Sequence, residues 1–213
     1  YWSNGGLSMD LIRHLEFFNP FEIKEPIHIV GIGAIGSHVA EQLVRMGVDH
    51  IVLWDFDTVD EKNIPNQLYT YRNLKMKKVD ALKELLLDIN PDLNIRVRDR
   101  WTETQTLNGY VFMCVDSIDV RKEIVAAVEY NPHCLGVFDF RMRLTDAQHY
   151  AAIPGHELEM NNLKAPMNFT QEEAKEATPV SACGSSLSVL PTIRVITAVG
   201  VANFMNYIKK GEL

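Results

Sequence analysis

His28-Ile-Val-Gly31-Ile-Gly33-Ala34-Ile35-Gly36, an amphipathic stretch, and then Ile51-Val-Leu-Trp-Asp55-Phe-Asp57-Thr-Val-Asp-Glu-Lys-Asn63-Ile-Pro-Asn66-Gln67 decide the reading of this chain. Apolar Ile27–Val30 has the character of a strand buried on both faces. Gly31, Gly33 and Gly36 then permit a tight turn, close approach of backbone N–H groups to a phosphate, and close packing of a helix on the strand. A helix expected over Ala34–Met46 aims its dipole and free first-turn N–H groups at that phosphate, so Ala34 and Ile35 join the glycines as candidate ligands. A second strand, Ile51–Trp54, ends at Asp55, about twenty residues past the last glycine, where a carboxylate can hold ribose hydroxyls.

Working outward, hydrophobic periods and breakers predict a first helix over Ser8–Phe18, a helix over Lys75–Ile89 and a strand over Asn94–Arg98. A strand over Val111–Val115, a helix over Val120–Tyr130, strands over His133–Asp139 and Gln148–Ile153, and a packed helix over Leu187–Ile208 follow. This alternation implies an α/β fold, Rossmann-like and doubly wound, with a mostly parallel sheet and helices on both faces. Residues 154–186 break the pattern with Pro154-Gly155, Asn161-Asn162, Pro166 and an acidic run over Gln171–Glu176. They are expected to form a long substrate-side loop containing one short helix.

At 213 residues, 46% apolar and 23% charged, the chain can bury one sizeable core, a single domain over 1–213 with 1–20 as an N-terminal helical segment. Leu187–Met205 approaches the length of a membrane span, but Pro191, Arg194 and Asn203 make that costly, so a buried helix and no membrane contact are expected. A net charge of −7 argues against a broad basic face for nucleic acid. No signal peptide is visible. Cys114, Cys134 and Cys183 are too few for a disulfide framework, which favours a reducing, cytoplasmic setting. They cannot form a four-cysteine zinc site, and the seven histidines lack ligand spacing, so no zinc is expected.

The run from Leu43-Val-Arg-Met-Gly47 to Gln67 resembles the ThiF/MoeB/HesA family of ubiquitin-activating-type adenylyltransferases, with their Arg-x-Gly turn, DxDxV strand end and Asn-x-x-Arg-Gln. Lys78, in Met76-Lys-Lys-Val-Asp-Ala-Leu, falls where that family carries a phosphate-binding lysine, and Ile89-Asn90-Pro91 is a similar helix exit. Val115-Asp116-Ser-Ile-Asp-Val-Arg121 looks like the family's Asp-Asn-x-x-x-Arg segment, whose aspartate helps hold magnesium. Ser181-Ala-Cys183-Gly184 and the helix after it are similar to the family's crossover region. The resemblance covers about residues 27–208 and is nearest to compact bacterial or phage members without the zinc site.

What the resemblance implies is carboxylate activation: a carboxylate oxygen attacks the α-phosphate of ATP, pyrophosphate leaves, and an acyl-adenylate remains. Positioning and cations supply most of such catalysis. The glycine turn would hold phosphate, Asp55 with neighbouring Asp57 the ribose side, Asn63 and Gln67 the polyphosphate, Lys78 a phosphate charge, and Asp116 the Mg2+ ion. The implied partner is a small ubiquitin-like or sulfur-carrier protein with an activated C-terminal carboxylate, and the implied assembly is a homodimer.

Each residue also has a plainer reading. The glycines also suit NAD, Asp55 and Asp57 can simply end a strand, and Lys78 belongs to a Lys75–Lys78 group that reads as a solvated face. Asp116 can be a helix N-cap, with Arg121 expected to pair with it. Cys183 is either a nucleophile activated at a helix start or part of a small-residue packing turn; Cys114 and Cys134 read as core. Two departures matter. Asn66 stands where the family has arginine, which removes a guanidinium fork of phosphate donors. The N-terminus also lacks the family's arginine motif, leaving Arg13 as the nearby candidate. Arg141 and Arg143 follow a strand end in Phe138-Asp-Phe-Arg-Met-Arg, which resembles the Asp-x-Arg-Met turn of compact members, and Arg141 is the favoured alternative phosphate contact. Three functions follow: an adenylyltransferase, a catalytically impaired scaffold or heterodimer subunit, and an NAD-dependent oxidoreductase. Against the last, Tyr71-x-x-x-Lys75 comes too early for a catalytic dyad.

Overall fold

A computed structural model describes residues 9–180 and 187–213. Strands β1 (Ile27–Val30), β2 (His50–Trp54), β3 (Asn94–Arg98), β4 (Gly109–Met113), β5 (Cys134–Arg143) and β6 (Asp146–Ala152) form one sheet. Its order is β3-β2-β1-β4-β5-β6. The first five run parallel and β6 is antiparallel to β5, as a mostly parallel, doubly wound sheet requires.

Alternating side chains divide the core. Ile27, Ile29, Ile51 and Leu53 face helices α1 (Ala34–Arg45), α2 (Lys78–Leu87) and α6 (Leu190–Lys210). Val30, Val52, Trp54, Val111 and Met113 face α3 (Ile118–Val128) and α4 (Glu157–Lys164). All four β1 positions are buried, which accounts for a strand that is apolar except at His28. Helix α6 has Pro191 in its first turn and ends at Gly211 with φ 74°, the usual proline-in, glycine-out signature. No helix among the described residues is long and apolar enough to cross a membrane.

Several expected boundaries are corrected. Ser8 lies outside the described residues, and Leu11–Phe18 makes hydrogen-bonded turns without forming a helix; Asn19 and Pro20 stop propagation at once. Helix α2 starts at Lys78, not Lys75, because Lys75 has φ 70°, outside the helical region. Strand β4 ends two residues earlier than expected, because the Val115 carbonyl accepts from the Arg121 guanidinium. Strand β5 runs on to Arg143 because β6 pairs with its far end. Residues 154–180 are not a loop with one helix. They carry α4, a 3-10 turn over Ala165–Met167, and α5 (Gln171–Ala177), which opens with a Thr170–Glu173 capping box.

Candidate active site

The sheet order reverses between β1 and β4, and the glycine turn sits there. Gly31 has φ +84°, and a Cβ on it would lie 2.9 Å from the Cys114 and Val115 backbone. A Cβ on Gly36 would lie 1.9 Å from the Gly31 carbonyl oxygen, so α1 rests directly on the turn. Gly33 is different. It is the N-cap of α1 without a side-chain cap, and a Cβ there would meet only Gln67 Nε2, at 3.9 Å. Next to it are the first-turn N–H groups of Ala34, Ile35 and Gly36, which a helix leaves without internal partners.

Asp55 holds this turn in shape. Its Oδ2 accepts from the Ile32 N–H at 2.9 Å and its Oδ1 from the Asp57 N–H at 2.8 Å. Tyr69, buried, donates its hydroxyl to the Ile32 carbonyl at 2.7 Å; burial, then the nearby Asp55 and Asp57 charges, raise its pKa well above the usual tyrosine value. Lys78 is buried rather than on a solvated face, and its ammonium bonds Asp57 Oδ2 at 2.9 Å. Asn63 accepts from the Asp60 N–H at 2.8 Å in a local capping box. Gln67 Oε1 is buried with no hydrogen-bond partner among the described residues.

Asp116 is exposed, three residues beyond β4. The N-cap of α3 is Ser117, whose hydroxyl accepts from the Val120 N–H at 3.3 Å, so the N-cap reading of Asp116 is corrected. So is the Arg121–Asp116 pair. Arg121 is buried, pairs with fully buried Asp139, and donates to the Met113, Val115 and Phe140 carbonyls. It clamps the exits of β4 and β5. Arg141 bonds the other Asp139 oxygen at 2.6 Å and donates to the Pro166 and Leu163 carbonyls at 2.9 and 3.2 Å. Its guanidinium therefore ties β5 to the α4 segment. Arg13 and Arg143 are exposed. Cys183 lies outside the described residues. Cys114 and Cys134 are core thiols: burial pushes both up, Cys134 to about 12, which suits packing and not nucleophilic attack.

Asn66 points away from the role its family counterpart has. Its amide donates to the Ser188 hydroxyl at 2.8 Å and the Ser188 carbonyl at 3.1 Å. Tyr69, Asp139, Ser188 and Gln171, whose side chain accepts from the Ile118 N–H at 2.8 Å, were absent from the sequence-derived set. Of these only Asp139, an acid within an apolar strand, carried a signal.

This arrangement suits a magnesium nucleotide. Gly33 leaves the turn open, Gln67 Oε1 is a buried acceptor without a donor among the described residues, which a ligand hydroxyl or amine would satisfy, and Asp116 is exposed. No three His, Cys, Asp or Glu side chains cluster as a metal site among the described residues, and magnesium held by one or two carboxylates plus phosphate oxygens needs no such cluster.

The model of the ThiF family matches residues 24–209. The chain is 33% identical over 90 residues to ubiquitin-like modifier-activating enzyme 5 of Caenorhabditis elegans, covering 41% of this chain and 22% of that protein. It is 31% identical over 149 residues to the enzyme of the same name from Drosophila persimilis, covering 62% and 37%. The chain thus spans between 17% and 37% of the length of such curated relatives. In structure it resembles E. coli MccB crystallised with ATP, with TM-score 0.66, 18% identity, and coverage of 90% of this chain and 58% of that one. PaaA gives TM-score 0.68 at 15% identity, covering 93% and 60%.

Proposed function

The chain belongs to the ThiF family, and on that premise we propose that it is an ATP-dependent adenylyltransferase. It activates the C-terminal carboxylate of a small ubiquitin-like or sulfur-carrier protein as an acyl-adenylate, working in the cytoplasm as a homodimer. The observation that supports this reading is the sheet reversal between β1 and β4, with the Gly33 turn following β1, Asp116 following β4, and Lys78 linked to that turn through Asp57 and Asp55. Relatives named as modifier-activating enzymes support it, as does a fold neighbour crystallised with ATP and with N-formylated MccA.

In this scheme the first-turn N–H groups of α1 bind phosphate oxygens, and Asp55 takes ribose with the lone pairs left after holding Ile32 and Asp57. Lys78 turns from Asp57 toward phosphate, and Asn63 and Gln67 orient the chain of phosphates. Asp116 would hold magnesium, which when bound neutralises charge on the phosphate oxygens. The substrate carboxylate oxygen forms a bond to the α-phosphorus, the bond to pyrophosphate breaks, and no general base is needed because that carboxylate is already ionised. Arg141 is kept as an added phosphate contact that must first release a loop carbonyl, and Cys183 as a candidate acyl acceptor.

Calorimetric titration with ATP and with NAD, each with and without magnesium, tests the reading. Magnesium-dependent ATP binding that Asp116→Ala abolishes is expected; binding of NAD alone would overturn it. Binding of neither would favour a catalytically impaired scaffold or heterodimer subunit, the second reading that Asn66 supports by engaging Ser188 in place of a phosphate-facing arginine.

A further inference from the structure

Strand β3 is an edge of the sheet, and its connection to β4 contains no helix. The sheet face formed by β2 and β3 on the α3 side is therefore covered only by loop residues such as Trp101 and Leu107. Under that loop lies a cleft of about 380 Å³ lined by His28, His50, Trp54, Arg96, Arg98 and Asn108, among others. Register places these groups together: Arg96 is opposite Val52, Arg98 opposite Trp54, and His28 opposite Val52.

The charged groups of the cleft are Arg96 and Arg98, and no carboxylate lines it among the described residues, in a chain of net charge −7. His50 Nε2 is shut off from solvent and has no hydrogen-bond partner among the described residues. The Trp54 indole N–H donates to His28 Nδ1 at 3.0 Å, and the two rings stack, so the floor is rigid. Arginines on an edge strand also deter strand-to-strand aggregation, but that accounts for neither the cleft nor the orphaned His50 nitrogen.

We propose that this cleft is a second ligand site, separate from the glycine cradle, that takes a compact anion of the diphosphate or polyphosphate class. Arg96 and Arg98 stand two residues apart on one face, about 7 Å along the strand. That spacing suits oxygens spread over two linked phosphates, each met by a guanidinium fork. The Asn108 side chain supplies a further polar contact, while His50 Nε2, shut off from solvent, lies behind the cleft wall. The cleft opens on the face of the sheet opposite α1, so occupancy here and in the cradle is compatible.

The test is an NMR titration of the 15N-labelled full chain with pyrophosphate, following the Trp54 indole N–H and the backbone N–H groups of Arg96 and Arg98. Saturable shifts at all three are expected. The double variant Arg96→Ala/Arg98→Ala, whose side chains are exposed and whose loss leaves the core intact, should weaken binding at this site at least about tenfold. Lys78→Met, which removes the cradle's buried cation, should leave it unchanged. No Trp54 shift up to roughly 10 mM pyrophosphate, a shift indifferent to loss of both arginines, or one that disappears with Lys78→Met would each overturn the proposal.

Discussion

His28 carries a buried imidazole whose environment opposes charge. Burial first, then the neighbouring His50, lower its pKa from 6.5 to about 4; His38 and His149 are lowered too, chiefly by burial. The unfolded chain therefore binds protons between about pH 6.5 and pH 4 that the folded chain refuses, so stability falls as pH drops through that window and is retained above it. For His28 alone the loss is about 3 kcal/mol. Urea midpoints at pH 7 and pH 4.5 should show the decline, and His28→Gln, which keeps an acceptor for the Trp54 N–H, should flatten it. An equal slope in the variant would refute the assignment.

At the scale of elements, Arg121 is the joint between α3 and the ends of β4 and β5. One guanidinium satisfies Asp139 and three strand-exit carbonyls that otherwise face each other in the interior. Removing it leaves a buried carboxylate with only Arg141 as counter-ion, so Arg121→Ala should cost about 3–5 kcal/mol in chemical denaturation. Arg121→Ala/Asp139→Ala should cost less than the two single changes together, because the stranded charge is gone. Additive losses would mean that the two side chains do not act as a pair. Helix α1 meets the same region from the other side, where Gly31 and Gly36 leave no room for a Cβ.

For the whole molecule, the parallel sheet and the glycine turn were legible in the sequence because both are local: a short strand apolar but for His28, three glycines and a carboxylate at the next strand end lie close in the chain. The Asp139–Arg121–Arg141 network was not, because its members come from β5 and α3 and only the sheet order brings them together. The partner of Lys78 was hidden for the same reason, and the plainer solvated-face reading of that lysine fails once Asp57 is placed beside it. Of the two helices within 154–180 the sequence reading expected one, without its bounds, while the turns after Leu11 show that a helical period without room to propagate yields no helix.

The bond between Asn66 and Ser188 joins positions 122 residues apart. In the order of assembly, such a contact closes only after the sheet and α6 have brought the two segments together, since closing so long a loop early is entropically unfavourable. Asn66→Ala should accordingly quicken unfolding by several-fold, for a loss of about 1–2 kcal/mol, while leaving the refolding rate unchanged. Slowed refolding in stopped flow would contradict this. The Asn66–Ser188 contact is thus a late-forming clasp, and local opening there can occur while the sheet beneath it stays folded.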